Sequence, residues 1–353
     1  MNKILNLFDS TYVRDLFNRQ ILPLYPDFKA IKEIKILPVK KNVWETTYHV
    51  VIEFATTFLN HGGEAVELPI YCTAHSSEPR KNSFEALQFL WQIGFDQGDL
   101  VIPHPLFFSD YFNGYFYRGV KGQTLYYYLG KKNYEVIEDV VAKTGAWFAK
   151  LHSTPTSGVK NFNPENSRIE TVIPGLKNVL EKINRVYPSY YEPCKKIYEI
   201  IDQKEKTYFA NNEKRYLIHG DAHAKNIIKM SEDKIAVIDF TDMCLADYTR
   251  DLGSFLQQLN FMGSEKINSP SFVEKIKTIF FDSYLLHSKI KIDDYAKARI
   301  DNYYNWTALR TATFFMLRDQ PEPERAREPL IEVCKNLKIL VPRDFGEGGK
   351  TNF

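Results

Sequence analysis

The segment 216–253 carries the residues whose types and spacing suit a reaction: His219-Gly220-Asp221, then Asn226, then Ile238-Asp239-Phe240. A carboxylate and an amide share one loop between two short apolar runs, and a second carboxylate ends the next apolar run. Phosphoryl transfer from a nucleotide needs such a set. One carboxylate orients an acceptor hydroxyl and takes its proton, and oxygen ligands hold the magnesium that neutralises the phosphates. In this reading Asp221 faces the acceptor, and Asn226 and Asp239 hold Mg²⁺. A lone Asp in a turn is usually a turn former. The ordered combination H-x-D-x-x-x-x-N followed by I-D-F is much more specific. His223, two residues after Asp221, is a second catalytic candidate. Lys225 reads either as a phosphate contact or as a solvated loop lysine.

Two groups of elements must position these residues. Residues 10–29 have helical spacing, and Ile31–Pro38, Thr46–Leu59 and Glu67–His75 read as strands. Asn60-His61-Gly62-Gly63 reads as a hairpin turn. A helix over Ser83–Ile93 and strands over Leu106–Tyr111 and Tyr115–Val120 complete an α+β unit. Beyond it the pattern is mainly helical: Val136–His152, 169–187, 189–210, Asp251–Asn260, Ser271–His287, Asp293–Arg318 and Glu324–Leu337. Short β-like runs interrupt it at Tyr216–Ile218, Ile227–Met230 and Ile235–Phe240. The last residues, Gly346–Phe353, are expected to fray. The division expected is 1–120, with a leading helix, and 121–353.

Composition narrows the partners. The chain has 353 residues, 46 Lys+Arg and 44 Asp+Glu, for a formal net charge of +2. That balance argues against an obligate nucleic-acid binder, which usually carries a large basic excess. With 44% hydrophobic and 25% charged residues the chain suits a globular core rather than disorder. Its four cysteines, Cys72, Cys194, Cys244 and Cys334, form no C-x-x-C pair, so neither zinc nor a disulfide framework is expected. No run approaches the ~18 apolar residues of a membrane span, and the N-terminus lacks a signal-peptide pattern. A cytoplasmic protein is the expectation.

The segment HGDAHAKNI…VIDF resembles the catalytic segment of the aminoglycoside phosphotransferase / choline kinase-like family. Further likeness lies in Tyr115–Leu125, in Gly145–His152 and in Ala246-Asp247 with Asp251-Leu252-Gly253. The resemblance implies a two-lobed protein-kinase-like α+β fold, with an antiparallel-sheet N-terminal lobe that binds nucleotide and a mainly helical C-terminal lobe. It implies an ATP- and Mg²⁺-dependent kinase that phosphorylates a hydroxyl of a small molecule. Adenine would sit at a hinge made by Tyr117, Arg118 and Gly119. It implies that His219 braces the catalytic loop. Asp251, whose D-L-G opens an apolar helical run, is expected to cap a helix start or brace the loop.

The chain departs from the family in one place. A kinase-like third strand normally carries a Lys paired with a helix Glu. Here Thr73 stands at the Lys position, and Glu85 is the expected helix Glu. Lys40 and Lys41, expected on a turn between the first two strands, are the favoured replacements, with His75, Arg80 and Lys81 as others. The missing Lys also motivates a rival reading, a nucleotide-binding pseudokinase with a regulatory or interaction role. The acceptor is expected against the helices of 270–335. Their mixture of acids, bases and aromatics does not specify a polycation pocket, and a neutral sugar, an amino alcohol or an aromatic metabolite fits equally well.

Overall fold

A computed structural model describes residues 2–78 and 80–340, so the expected fraying of Gly346–Phe353 lies outside the described residues. The chain divides into two units. One comprises Met1–Gln123 with Ile227–Thr241, the other Thr124–Asn226 with Asp242–Phe353.

In the first unit, helix α1 (Ser10–Gln20) opens on Asp9, whose carboxylate accepts the Tyr12 N–H at 2.8 Å. That satisfies one of the orphan donors of the first turn. The helix ends earlier than its spacing predicts. Pro23 and Pro26 cannot continue it, and a short 3₁₀ turn over Leu22–Leu24 follows. Strands β1 (Phe28–Val43), β2 (Tyr48–Asn60) and β3 (Ala65–His75) form an antiparallel meander. With β5 (His104–Ser109) and β6 (Gly114–Arg118) they make a five-stranded sheet in the order β1-β2-β3-β6-β5.

Alternation decides what each face of this sheet does. Along β2, Tyr48, Val50, Ile52, Phe54 and Phe58 are buried in a core shared with Val13, Leu16 and Phe17 of α1. Phe54 meets Phe17 at 5.0 Å, and Phe116 stacks on Phe107 at 4.3 Å. The alternate residues His49, Val51 and Glu53 lie on the other face.

Strand β1 runs past the alternating stretch to Val43, so Lys40 and Lys41 are strand residues, paired with Val51 and Val50. The turn lies beyond them, closed by Trp44 N–H donating to the Thr47 carbonyl at 2.9 Å. Pro38 is tolerated within β1 because β1 is an edge strand. Helix α2 (Arg80–Leu90) follows β3. A second sheet pairs β10 (Ile235–Val237) parallel with β4 (Leu100–Val101) and antiparallel with β9 (Ile227–Lys229). The chain leaves this unit through the two-residue strand β7 (Gln123–Thr124).

The second unit is mainly helical, as the sequence pattern predicts. It contains α3 (Leu125–Lys131), α4 (Tyr134–His152), α5 (Leu176–Val186), α6 (Tyr191–Asn211), α7 (Thr249–Lys266), α8 (Pro270–His287), α9 (Asp294–Leu317) and α10 (Pro323–Asn336). The helix expected from 169 begins only at Leu176, because Pro174 and Gly175 interrupt it, Gly175 with φ of 79°. Two cores hold the unit. Phe148, Phe255 and Phe280 pack ring to ring where α4, α7 and α8 meet. Trp306, Leu309 and Ala312 of α9 are buried with Ile197 and Ile201 of α6 and Leu330 and Val333 of α10. Strands β8 (Tyr216–Ile218) and β11 (Cys244–Ala246) pair antiparallel on either side of the motif. No helix among the described residues is long and apolar enough to cross a membrane.

Candidate active site

In the second unit the loop after β8 is fixed by one buried carboxylate. Asp251, in the first turn of α7, is fully buried and accepts the His219 N–H at 2.7 Å and the Gly220 N–H at 2.9 Å. His152, at the end of α4, places Nε2 at 3.2 Å from the same carboxylate, and its Nδ1 lies 3.0 Å from the Tyr284 hydroxyl. Burial pushes the Asp251 carboxyl up, but the hydrogen bond and charge of His152, then His219 and the Gly220 N–H, more than offset it, and its pKa is lowered. The first His of the motif is itself wholly buried, and its Nδ1 accepts the Asp221 N–H at 3.2 Å. Gly220 is required by geometry. Its φ is +85°, and an added Cβ would sit 2.4 Å from the Asp242 carbonyl oxygen.

This bracing presents Asp221 half-exposed. Asn226 donates its Nδ2 to the Asp221 carbonyl at 3.0 Å and lies 3.4 Å from the Asp221 carboxylate. His223 Nε2 is 3.4 Å from Oδ2 of the same carboxylate. Partial burial pushes the Asp221 carboxyl up. The charge and hydrogen bond of His223, with His219 and Arg310, outweigh it and hold the group below the usual carboxylate range. The carboxylate therefore stays ionised and able to accept a hydrogen bond. Asp221, His223 and Asn226 thus lie together.

Asp221 and His223 also line a cavity of about 540 Å³ within this unit. Its walls come from one face of α7 (Ser254, Gln258, Phe261, Glu265) and one face of α9 (Trp306, Arg310, Phe314). Spacings of three and four residues put each set on a single side of its helix. Tyr126 of α3 and Arg325 of α10 complete it.

In the first unit, Asp239 follows β10 in the left-handed region, with φ of 66°, and its side chain is exposed. Its Oδ1 accepts the Thr241 hydroxyl at 2.7 Å. That hydroxyl oxygen in turn accepts Arg80 Nη1 at 3.0 Å. The guanidinium of Arg80, 5% exposed, also pairs with Glu78 at 2.6 Å. Arg80 and Asp239 both act on the Tyr115 hydroxyl, whose residue is the register partner of Thr73. A cation therefore stands on the sheet face where Thr73 leaves the strand position without one.

The other expected residues separate. Lys40 lies on this same face, its Nζ 3.1 Å from His49 Nδ1, whereas Lys41 turns the opposite way and lies 4.4 Å from the Phe8 ring. The expectation for Lys41 fails because adjacent strand residues face opposite sides. Arg80, at the start of α2, pairs with Glu78, and Glu85, the expected helix Glu, lies further along that helix. Tyr117 stacks on Tyr71 at 5.5 Å, while Arg118 turns toward Tyr25. Gly119 commits its N–H to the Pro69 carbonyl at 2.8 Å, and an added Cβ would meet the Tyr71 ring at 2.4 Å. Thr241 was not singled out in the sequence. Its only local signal is its place two residues after Asp239, where a hydroxyl can fold back onto the carboxylate.

His49, His75 and Glu78 offer ligand atoms within 4.8 Å of one another. They belong to a network of charged groups. Lys40 Nζ lies 3.1 Å from Nδ1 and 3.4 Å from Nε2 of His49, and Arg80 Nη2 lies 3.4 Å from Nε2. His75 Nδ1 accepts the N–H groups of Ser77 and Glu78.

The chain belongs to the phosphotransferase enzyme family, whose model matches residues 51–279. A comparison with curated protein sequences finds no match. Among solved structures, the fold is similar to the choline kinase of Cryptosporidium parvum Iowa II, with a TM-score of 0.61 at 14% identity over 96% of this chain and 98% of that one. A thermostable mutant of an aminoglycoside phosphotransferase gives 0.57 at 13% identity over 94% and 98%. A spectinomycin phosphotransferase in complex with ADP and spectinomycin gives 0.53 at 11% identity over 93% and 97%. The protein-kinase-like fold of small-molecule kinases is thereby established, with its antiparallel sheet and mainly helical part.

The network around His49 has a pH signature. Burial, then the charges of Lys40, Arg80 and His75, pull its pKa down to about 4, with Glu78 opposing. The unfolded chain takes up that proton near its ordinary value of about 6.5. Stability is therefore full above about 6.5 and falls as the pH drops toward about 4, because only the unfolded state gains the proton in that window. His104, stacked on Trp91 and lowered to about 4 by burial and Arg118, adds a decline of the same sign. His49→Gln is expected to flatten, but not abolish, the loss of melting temperature between pH 6.5 and 4.5. An unchanged slope would remove His49 from the account.

Proposed function

We propose that the chain transfers the γ-phosphoryl group of ATP to a hydroxyl of a small molecule. The observation that carries this reading is the ionised Asp221 carboxylate, held beside Asn226 and His223 in the wall of a cavity large enough for a small molecule. Asp221 accepts the hydrogen bond of the acceptor hydroxyl and so aims its oxygen. As that oxygen bonds to the γ-phosphorus, the bond to the β-phosphate oxygen breaks, ADP leaves, and the proton passes to Asp221. The lowered pKa makes Asp221 chiefly an orienting group that takes the proton late. His223, beside the same carboxylate, helps keep it ionised.

Asn226 and Asp239 are the proposed magnesium ligands. The donor set fits: Asn226 commits its amide nitrogen to Asp221, leaving Oδ1 as an oxygen donor, and Asp239 supplies a carboxylate. Hard oxygen donors of this kind suit Mg²⁺, and the chemistry it supplies when bound is neutralisation of phosphate charge. For the missing strand Lys the reading selects Arg80, with Lys40 second. Arg80 is linked to Asp239 through Thr241, and its fork geometry suits phosphate. The base is assigned to the segment 117–119, where Gly119 serves by close approach rather than as a donor. A cation at Arg80 answers the observation that motivated a pseudokinase, so that reading is not pursued.

Three measurements test this. Asp221→Asn keeps the shape and removes the charge. It is expected to bind MgATP nearly normally while acceptor phosphorylation falls by at least ~100-fold, the usual scale of general-base loss. Full transfer in that variant would end the assignment. For the metal, ATP is expected to raise the melting temperature more with Mg²⁺ than with EDTA, and Asp239→Ala to erase the difference. A persistent difference would exclude Asp239. Finally, Arg80→Gln removes a charged hydrogen bond of about 1.5–3 kcal/mol, so kcat/KM for ATP is expected to drop about ten- to a hundredfold, with partial recovery in Arg80→Lys. Normal ATP kinetics in Arg80→Gln would return the role to Lys40.

A further inference from the structure

The geometry points to an acceptor that carries an acidic group, a carboxylate or a phosphate, paired with Arg310 beside Asp221. This inference rests on the phosphotransferase reading only for the word acceptor; the binding chemistry stands on the cavity itself.

Four cationic side chains line that cavity, Lys225, Arg310, Arg318 and Arg325, against two carboxylates, Asp221 and Glu265. The carboxylates are already engaged. Glu265 is bound by Arg325 at 3.0 Å and by Lys266 at 3.1 Å. Asp221 has His223 beside it and is the group reserved for the hydroxyl. Among the cations, Arg318 and Arg325 both pair with Glu322. Arg310 differs. Among the described residues it makes no ion pair; its guanidinium donates to the Ile173 carbonyl at 3.5 Å and lies 4.8 Å from the Trp306 ring. Burial and then the neighbouring charge of Arg250 act against its positive charge, the charges of Asp242 and Asp221 only partly offset them, and a ligand anion would add to that offset. A guanidinium binds carboxylate or phosphate through paired hydrogen bonds, which sets orientation as well as affinity.

The aromatic walls exclude the opposite charge. A ligand ammonium would need an open ring face. Every ring that could serve already has a protein cation against it. Arg250 and Arg310 lie 4.9 and 4.8 Å from the Trp306 centroid. Arg325 lies 4.1 Å from Phe315 and 5.8 Å from Phe261, and Arg318 lies 5.5 Å from Phe314. Lys225 and Lys266 lie 4.8 and 5.1 Å from Tyr126. An ammonium or polyamine entering here meets like charge and no unpaired carboxylate, so the wall selects against it. An acid meets Arg310 and, toward the exposed side, Lys225.

The test uses two matched frames that differ chiefly in charge: glucuronate, glucose and glucosamine, and 4-hydroxyphenylacetate, tyrosol and tyramine. Binding to the full chain is measured by calorimetry and melting shift without nucleotide, and transfer is measured separately with MgATP. In at least one frame the acid is expected to bind at least ~10-fold more tightly than its neutral and amine partners, since a charged hydrogen bond is worth about ten- to a hundredfold in affinity. Arg310→Gln is expected to lose that preference and Arg310→Lys to keep part of it. Lys225→Gln, at an exposed position, is expected to reduce it several-fold and serves if the Arg310 variants do not fold. The inference is overturned if amine or neutral members bind as tightly as the acids in both frames, if no member binds, or if the acid preference survives both Arg310→Gln and Lys225→Gln. If the acids bind selectively but no hydroxyl is phosphorylated with MgATP, the charge selectivity stands and the transferase reading fails. If an amine is phosphorylated in preference to its matched acid, the reverse holds.

Discussion

A single buried carboxylate, that of Asp251, sets the geometry on which the site depends. It meets two consecutive backbone N–H groups of the loop and the ring of His152. A carboxylate taken fully out of water is stable only when its lone pairs are filled, and here three donors fill them. The interaction is directional, so it fixes the loop's path and not merely its position. His219 extends the constraint by one step, because its ring accepts the N–H of Asp221 itself. The exposed carboxylate is therefore aimed by a chain of buried hydrogen bonds that begins on α7. Removing one partner of such a buried charge typically costs about 3–5 kcal/mol. Asp251 ties β8, α4 and α7 together for that reason, although it never reaches the cavity.

A different economy governs the first unit. Its sheet buries one face against α1, and the other face carries His49, Glu53 and Thr73 together with Tyr115, which packs against Phe84 of α2. The position on β3 that faces Val51 and Tyr115 holds Thr73, which is too short to carry charge to a ligand. Arg80 brings a guanidinium from the start of α2 instead, and Glu78 and Thr241 fix its direction. His49 stays neutral between two cations, which prevents a third positive charge from accumulating there. In the proposed reading the cation comes from the helix rather than the strand, on the same face of the sheet.

What was legible in the sequence follows the range of the interactions involved. The meander, the hairpin at Asn60–Gly63 and the long helices were readable because alternation and helical spacing are local. The loop residues Asp221, His223 and Asn226 were readable together because one short segment carries them all. Lys40 and Lys41 were misplaced because β1 continues through Pro38 as an edge strand, where the missing N–H leaves no inner ladder bond unmade. The Arg80–Thr241 contact was not legible, since it joins segments far apart in the chain and neither residue is unusual in its own surroundings. Gly119 was expected within an adenine-binding hinge, but the Pro69 carbonyl claims its N–H, a competition that no local pattern announces.

The cavity of the second unit extends the same argument to specificity. A family fold supplies the loop and its carboxylate, but the wall opposite is free to vary, and on this chain α9 fills it with Trp306, Arg310 and Phe314 on one face. An arginine one turn from a tryptophan stacks on it, and the stacked cation does two things at once. It offers hydrogen-bond donors to an anion, and it occupies the ring face that an ammonium would otherwise use. The arginine of α10 and the lysines beside Tyr126 repeat this arrangement around the cavity. Selection by charge then needs no added acidic or basic residue beyond those that already pack the aromatic wall. The packing of the wall and the electrostatic sign of the site are one property of the same side chains.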